Sequence, residues 1–160
     1  MKQVAIFIGS SSDKEKMQAC TRILEELNIS YKFTVTSAHR TPERTEQLIK
    51  SLEEEGCRVY ICAAGLAAHL AGSVAAKTIK PVLGVPLSAS ELGGMDSLLS
   101  TLQMPPGFPV GTLALDKVGA KNSAWLAAQI LALEDSSIAE KIKNARSDMQ
   151  KSIEEASLEL

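Results

Sequence analysis

Residues 37–42 read SAHRTP, and they place His39, one of only two histidines in the chain, beside Arg40. Imidazole is the side chain that ordinarily titrates near neutrality, so it can give and take a proton at working pH. A guanidinium presents a planar fork of donors suited to phosphate oxygens. The same six residues also read as a plain turn in which His39 is only a polar member. Two other stretches carry groups of comparable use. GSSSD, residues 9–13, has a glycine for a tight turn, then hydroxyls and exposed N–H groups, then a helical pattern. That sequence suits a phosphate, and it equally suits a simple helix cap made by Ser12 or Asp13. The Asp13 carboxylate would repel a phosphate at close range, a conflict removed if it faces sugar hydroxyls. AAGLAAHLAG, residues 63–72, exposes backbone at Gly65 and has His69 as its one bulky polar group. A ligand contact and a helix histidine satisfied by a neighbouring carbonyl both remain open for His69.

Other chemistries lack their signatures. No serine sits in a GxSxG elbow and no GxxxxGK[ST] loop is present. Neither histidine belongs to an HExxH or DxD pattern. The expectation is organic acid–base chemistry with no metal and no cofactor. Cys20, Cys57 and Cys62 form no CxxC pair, so they read as reduced packing thiols. A formal charge of -2 and a pI near 5.7 give no basic footprint for nucleic acid. The run VAIFIG is too short for a spanning helix or a leader, so no membrane partner and a cytoplasmic location are expected.

These groups need a scaffold, and the chain alternates β-branched runs with helical periodicity. Strands are predicted over 3–9, 31–37, 58–64, 81–86 and 109–115. Between the first two, Met17, Cys20, Ile23, Leu24 and Leu27 recur at helical spacing on one face. Pro42 suits the opening turn of a second helix and Gly56 its end. Alternation of this kind predicts a parallel sheet, whose ligands bind where loops leave the carboxyl ends of strands. GSSSD, SAHRTP and AAGLAAHLAG all follow predicted strands. One domain is expected over 1–160, with a sheet-forming part of 3–133 and a final helix of 136–156. That helix carries a narrow apolar stripe at Ile138, Ile142, Ala145, Met149 and Ile153, suited to a neighbour or to its own subunit. Between residues 61 and 115 the charged side chains are Lys77, Lys80, Glu91 and Asp96 alone. Burial between subunits is the expected cause, hence a homo-oligomer. A large two-faced core is the alternative.

GSSSD, SAHRTP, AAHL, PVLGVP, GMDSLLSTLQMP and PVGTLAL, in this order and spacing, closely resemble the N5-carboxyaminoimidazole ribonucleotide mutase family of de novo purine biosynthesis. The resemblance spans about residues 3–133. It implies a flavodoxin-like three-layer α/β/α sandwich, assembled as an octamer whose active sites are shared between subunits. It also implies a ribonucleotide substrate, with Ser10 and Arg40 on its phosphate and Asp13 on the ribose hydroxyls. Ser37 and Ala38 would line the site, His39 would be the general acid and base, and His69 and Leu70 would surround the migrating carboxylate. Gln103 to Pro105 would reach in from a neighbouring subunit. Lys14 stands where the family usually has tryptophan, Leu66 where it has glycine, and Ala71 where it has proline. A sister branch that carboxylates aminoimidazole ribonucleotide directly with carbon dioxide typically has lysine at Arg40 and lacks AAHL. A non-catalytic nucleotide- or flavin-binding module is the rival of another class, though none of the three loops carries an aromatic to stack on a ring. A phosphosugar isomerase is a further rival.

Overall fold

A computed structural model describes residues 2–158. Five strands, β1 (Val4–Ile8), β2 (Tyr31–Val35), β3 (Val59–Gly65), β4 (Val82–Leu87) and β5 (Gly111–Thr112), form one sheet in the order β2-β1-β3-β4-β5. Every pairing is parallel. Six helices accompany it: α1 (Lys14–Glu26), α2 (Pro42–Glu54), α3 (Leu70–Ala75), α4 (Met95–Leu102), α5 (Asp116–Ala132) and α6 (Ser136–Ser157). This strand order is the flavodoxin-like one, and its topological switch point lies between β1 and β3.

The two-residue period of a strand sends alternate side chains to opposite faces. On β1, Val4, Ile6 and Ile8 face one hydrophobic cluster with α1, α5 and the start of α6. Ala5 and Phe7 face a second cluster with α2 and α3. The result is three layers with helices on both faces. All six residues of β4 are buried, as a strand covered on both sides requires. The helical face anticipated for α1 is buried at every predicted position, Met17, Cys20, Ile23, Leu24 and Leu27. Pro42 opens α2, and Gly56, at φ +90°, follows its end.

Three expectations change. The strand predicted over 109–115 is reduced to Gly111–Thr112. Pro109 has no N–H to give, β5 is an edge strand, and the chain turns into α5 through Asp116 at φ +52°. The apolar stripe of α6 divides: Ile138 and Ile142 are buried, whereas Met149 and Ile153 are exposed. The charge-poor middle also divides. Its strands β3 and β4 form the two-faced core, while α4 leaves Met95, Leu99 and Leu102 about half exposed at 55, 48 and 49%. No helix among the described residues is long and apolar enough to cross a membrane.

Candidate active site

Register brings the three loops together. Ile8 pairs with Val35 on one side and Ala63 on the other. The backbone continues this pairing past the strand, with Thr36 N–H donating to Ile8 O at 3.0 Å and Gly9 N–H to Ala63 O at 3.1 Å. The segments after β1, β2 and β3 therefore leave the same sheet edge side by side, at the switch point. They enclose a cleft of about 640 Å³ whose lining includes Ser10, Asp13, Ser37, Ala38, His39, Arg40, His69 and Leu70. All eight sequence-predicted residues meet there. A larger recess of about 900 Å³ opens at the amino ends of β4 and β5, beside Ile79, Pro81 and Phe108. It contains no histidine, and it lies at the edge opposite the one that parallel sheets use for ligands.

After β1 the chain forms a single 3-10 turn, Ser11–Asp13, ahead of α1. Ser10, rather than Ser12 or Asp13, is its cap. The Ser10 hydroxyl accepts from Ser12 N–H at 3.4 Å, and Asp13 Oδ2 accepts from Ser10 N–H at 3.1 Å, a reciprocal capping box. Burial pushes the Asp13 carboxyl above its ordinary value, against the opposing pull of the Ser10 and Ser12 hydrogen bonds and the Lys16 charge. The departure at Lys14 is an exposed first residue of α1.

After β2, Ser37 fixes the turn. Its carbonyl accepts from Thr41 N–H at 3.0 Å, its N–H donates to Thr41 Oγ1 at 2.9 Å, and its hydroxyl accepts from Arg40 N–H at 3.2 Å. A buried Thr36–Thr45 hydroxyl bond of 2.8 Å ties this turn to α2. Ala38 packs on the second hydrophobic cluster. His39 and Arg40 are left exposed at the mouth, and the Arg40 guanidinium donates to Gly9 O at 2.9 Å, bridging the first two loops.

After β3 the chain approaches its neighbour closely. A Cβ at Gly65 would stand 2.6 Å from the Ala89 Cβ, so glycine is required for the wall to close. Leu66 follows in the left-handed region, φ +57°, with its side chain 57% exposed over the cleft. Ala68 N–H donates to Ser100 Oγ of α4 at 2.9 Å, which anchors the loop. Leu70, at the start of α3, is buried and forms part of the cleft's inner wall.

His39 Nε2 lies 2.8 Å from His69 Nδ1, with the rings edge to face. Neither reading open for His69 included this partner. The residues are thirty positions apart, and only the adjacency of β2, β1 and β3 reveals the pair. Sequence reading also missed a brace behind the cleft. Lys16 Nζ donates to Ser88 O and to Asp116 Oδ1, both at 2.7 Å, and Asp116 accepts from Ser88 N–H at 3.0 Å. Burial disfavours the Asp116 charge, but the Lys16 and Ser88 hydrogen bonds prevail and hold its carboxyl below the ordinary value. This brace joins α1, the chain after β4 and the start of α5. Gln103 to Pro105 follow α4 and do not line this chain's own cleft.

Known proteins resemble this chain over nearly its whole length. The N5-carboxyaminoimidazole ribonucleotide mutase of Escherichia coli (strain K12) is 51% identical over 144 residues, 90% of this chain and 85% of that one. The enzyme of the same name from Bacillus subtilis (strain 168) is 46% identical over 157 residues, 98% of this chain and 97% of its own. The crystal structure of Treponema denticola PurE matches with a TM-score of 0.87 at 31% identity, covering 98% of each chain. The family described as AIR carboxylase matches residues 3–152, and with relatives this similar along both chains, this chain belongs to that family.

Proposed function

We propose that this chain is an N5-carboxyaminoimidazole ribonucleotide mutase, an isomerase of de novo purine biosynthesis. It moves a carboxylate from the exocyclic nitrogen of aminoimidazole ribonucleotide to the neighbouring ring carbon. The observation that carries this reading is the His39–His69 pair, 2.8 Å apart in a cleft at the switch point of the sheet. Mutases with this name that resemble the chain along nearly its whole length support it.

The chemistry needs one group to act first as an acid and then as a base. Protonated His39 gives its proton to the exocyclic nitrogen as the carbamate C–N bond breaks, releasing carbon dioxide and the neutral amine. The ring carbon then attacks the carbon dioxide, and neutral His39 removes the surplus ring proton. The histidine ends as it began, and no proton is gained or lost. The His69 nitrogen at hydrogen-bonding distance orients the His39 ring in the cleft. Carbon dioxide is weakly held and must recombine before it escapes, which favours a dry enclosure. Ala64, Leu66, Ala67 and Ala89 supply apolar walls for it. Arg40 and Ser10 bind the phosphate end, and Asp13 takes the ribose hydroxyls. Ser37 and Ala38 shape the floor through the turn they form, and His69 and Leu70 border the migrating carboxylate. No metal or cofactor enters these steps.

The chain is further proposed to act in the cytoplasm as a single domain assembled into an octamer, Gln103 to Pro105 of one subunit completing a neighbour's cleft. The half-exposed apolar side chains of α4 support the assembly.

Replacing His39 with Asn keeps a polar hydrogen-bonding side chain but removes the proton carrier. Turnover of N5-carboxyaminoimidazole ribonucleotide is expected to fall about 10³-fold, and a near-normal rate would sink the assignment. Supplying aminoimidazole ribonucleotide with labelled bicarbonate separates the mutase from a direct carboxylase. Efficient label incorporation at low bicarbonate would favour the carboxylase.

A further inference from the structure

A second recess, of about 330 Å³, adjoins the cleft and shares Gly9, Ser10, Ser37 and Arg40 with it. Its remaining wall includes Ser11, Thr41 and Arg44. The charges of the two spaces differ. The cleft contains Asp13 and one arginine, Arg40, whereas the recess contains Arg40 and Arg44 and no carboxylate. Neither arginine forms an ion pair among the described residues. Arg44 makes only a long hydrogen bond, 3.4 Å, to Thr34 Oγ1, so its guanidinium is free to turn inward. Arg40 is already held at the boundary by its 2.9 Å bond to Gly9 O, with its other N–H groups unused.

Two unpaired guanidinium groups, three serine hydroxyls and no acid make a site for a dianion with several acceptor oxygens. The phosphate already assigned to Ser10 and Arg40 can extend into this recess, and we infer that Arg44 is a further phosphate-binding residue, reaching from α2 to the 5′-phosphate of the ribonucleotide beside Arg40. The assignment rests on the mutase reading for the identity of the substrate. It also resolves the conflict at Asp13. With the phosphate in the recess, the ribose crosses the shared Ser10–Arg40 boundary and meets Asp13 in the cleft, and the base reaches the histidines. A phosphate in the cleft itself would lie beside a carboxylate with one arginine to offset it.

The test uses the full chain and its Arg44→Gln and Arg44→Lys variants. Arg44 is exposed, so neither change disturbs packing. The KM for N5-carboxyaminoimidazole ribonucleotide is expected to rise about tenfold in Arg44→Gln, as loss of one charge-assisted contact implies, with the loss falling on KM rather than on kcat. Arg44→Lys should recover part of it, and the salt dependence of KM should be weaker in Arg44→Gln than in the parent. Calorimetry with ribose 5-phosphate, which needs no turnover, should give a matching loss of affinity. A chain that never turns over the ribonucleotide but still loses ribose 5-phosphate on Arg44→Gln would defeat the mutase reading and leave the recess as a sugar-phosphate site. Unchanged KM and ribose 5-phosphate affinity in Arg44→Gln would overturn the inference. Weakened binding of inorganic phosphate with an unchanged KM would overturn it too, because the recess would then hold a free anion and not the substrate.

Discussion

Leu66 is the one residue lining the cleft whose side chain stands on a left-handed backbone. A side chain in the left-handed region costs about 1–2 kcal/mol because its Cβ crowds the carbonyl, and Leu66 sits at φ +57°. Its side chain is mostly exposed, so little packing offsets that cost within the subunit. Leu66→Gly should therefore stabilise the fold. The gain is roughly 1 kcal/mol or less, since glycine's freedom in the unfolded chain returns about 0.4–1 kcal/mol. Thermal melting should register a rise of about 2 °C. Leu66→Ala removes the bulk but keeps a Cβ, so its melting temperature should not rise, and equal gains in both variants would show that bulk rather than backbone was at issue. The sequence could mark Leu66 as added bulk in a loop, but not the dihedral angle that makes it strained. His39 was similarly half legible. Its type and its place after a strand were open to reading, whereas its bond to His69 depends on a register that no local pattern encodes.

At the scale of elements, periodicity carried the reading far. α1 buried every position its spacing marked, and β1 to β4 fall within two residues of their predicted ends. What stayed hidden were couplings between distant elements. Lys16 and Asp116 are a hundred residues apart and nothing in either neighbourhood signals the other. The close approach of β3 to the chain after β4 was hidden too, and it bears on the cleft directly. Gly65 pairs with Leu87, and an added Cβ would meet Ala89 Cβ at 2.6 Å and Leu87 O at 3.1 Å. Gly65→Ala should thus cost about 1–3 kcal/mol by overpacking and lower kcat/KM by spreading the wall that Gly65 and Ala89 form together. Removing the opposing methyl in Gly65→Ala/Ala89→Gly should recover a good part of both losses. A double variant no better than the single one would move the damage away from that contact.

On the scale of the whole molecule, the charge-poor run from residue 61 to residue 115 satisfies two demands at once. Its strands β3 and β4 are largely buried on both faces, and α4 carries a row of half-exposed apolar side chains at helical spacing, Met95, Leu99 and Leu102. If this row meets a second copy in the proposed octamer, Leu99→Glu should reduce the assembled mass measured by light scattering while circular dichroism stays native. Activity should fall with the assembly, because the clefts are proposed to be shared. An octamer of normal mass in that variant would remove α4 from the interface. The same layered design has a consequence for the chain's sulfur atoms. All three cysteines are buried, and burial pushes the Cys20 thiol up to about 12 and raises Cys57 and Cys62 as well. Only a thiolate attacks alkylating or disulfide reagents readily, so the native fold keeps all three silent. Cys20 lies in the layer built on α1 and α5, and Cys57 and Cys62 in the layer built on α2 and α3. The chain thus carries a separate chemical clock on each side of its sheet, and each starts only when its own side opens.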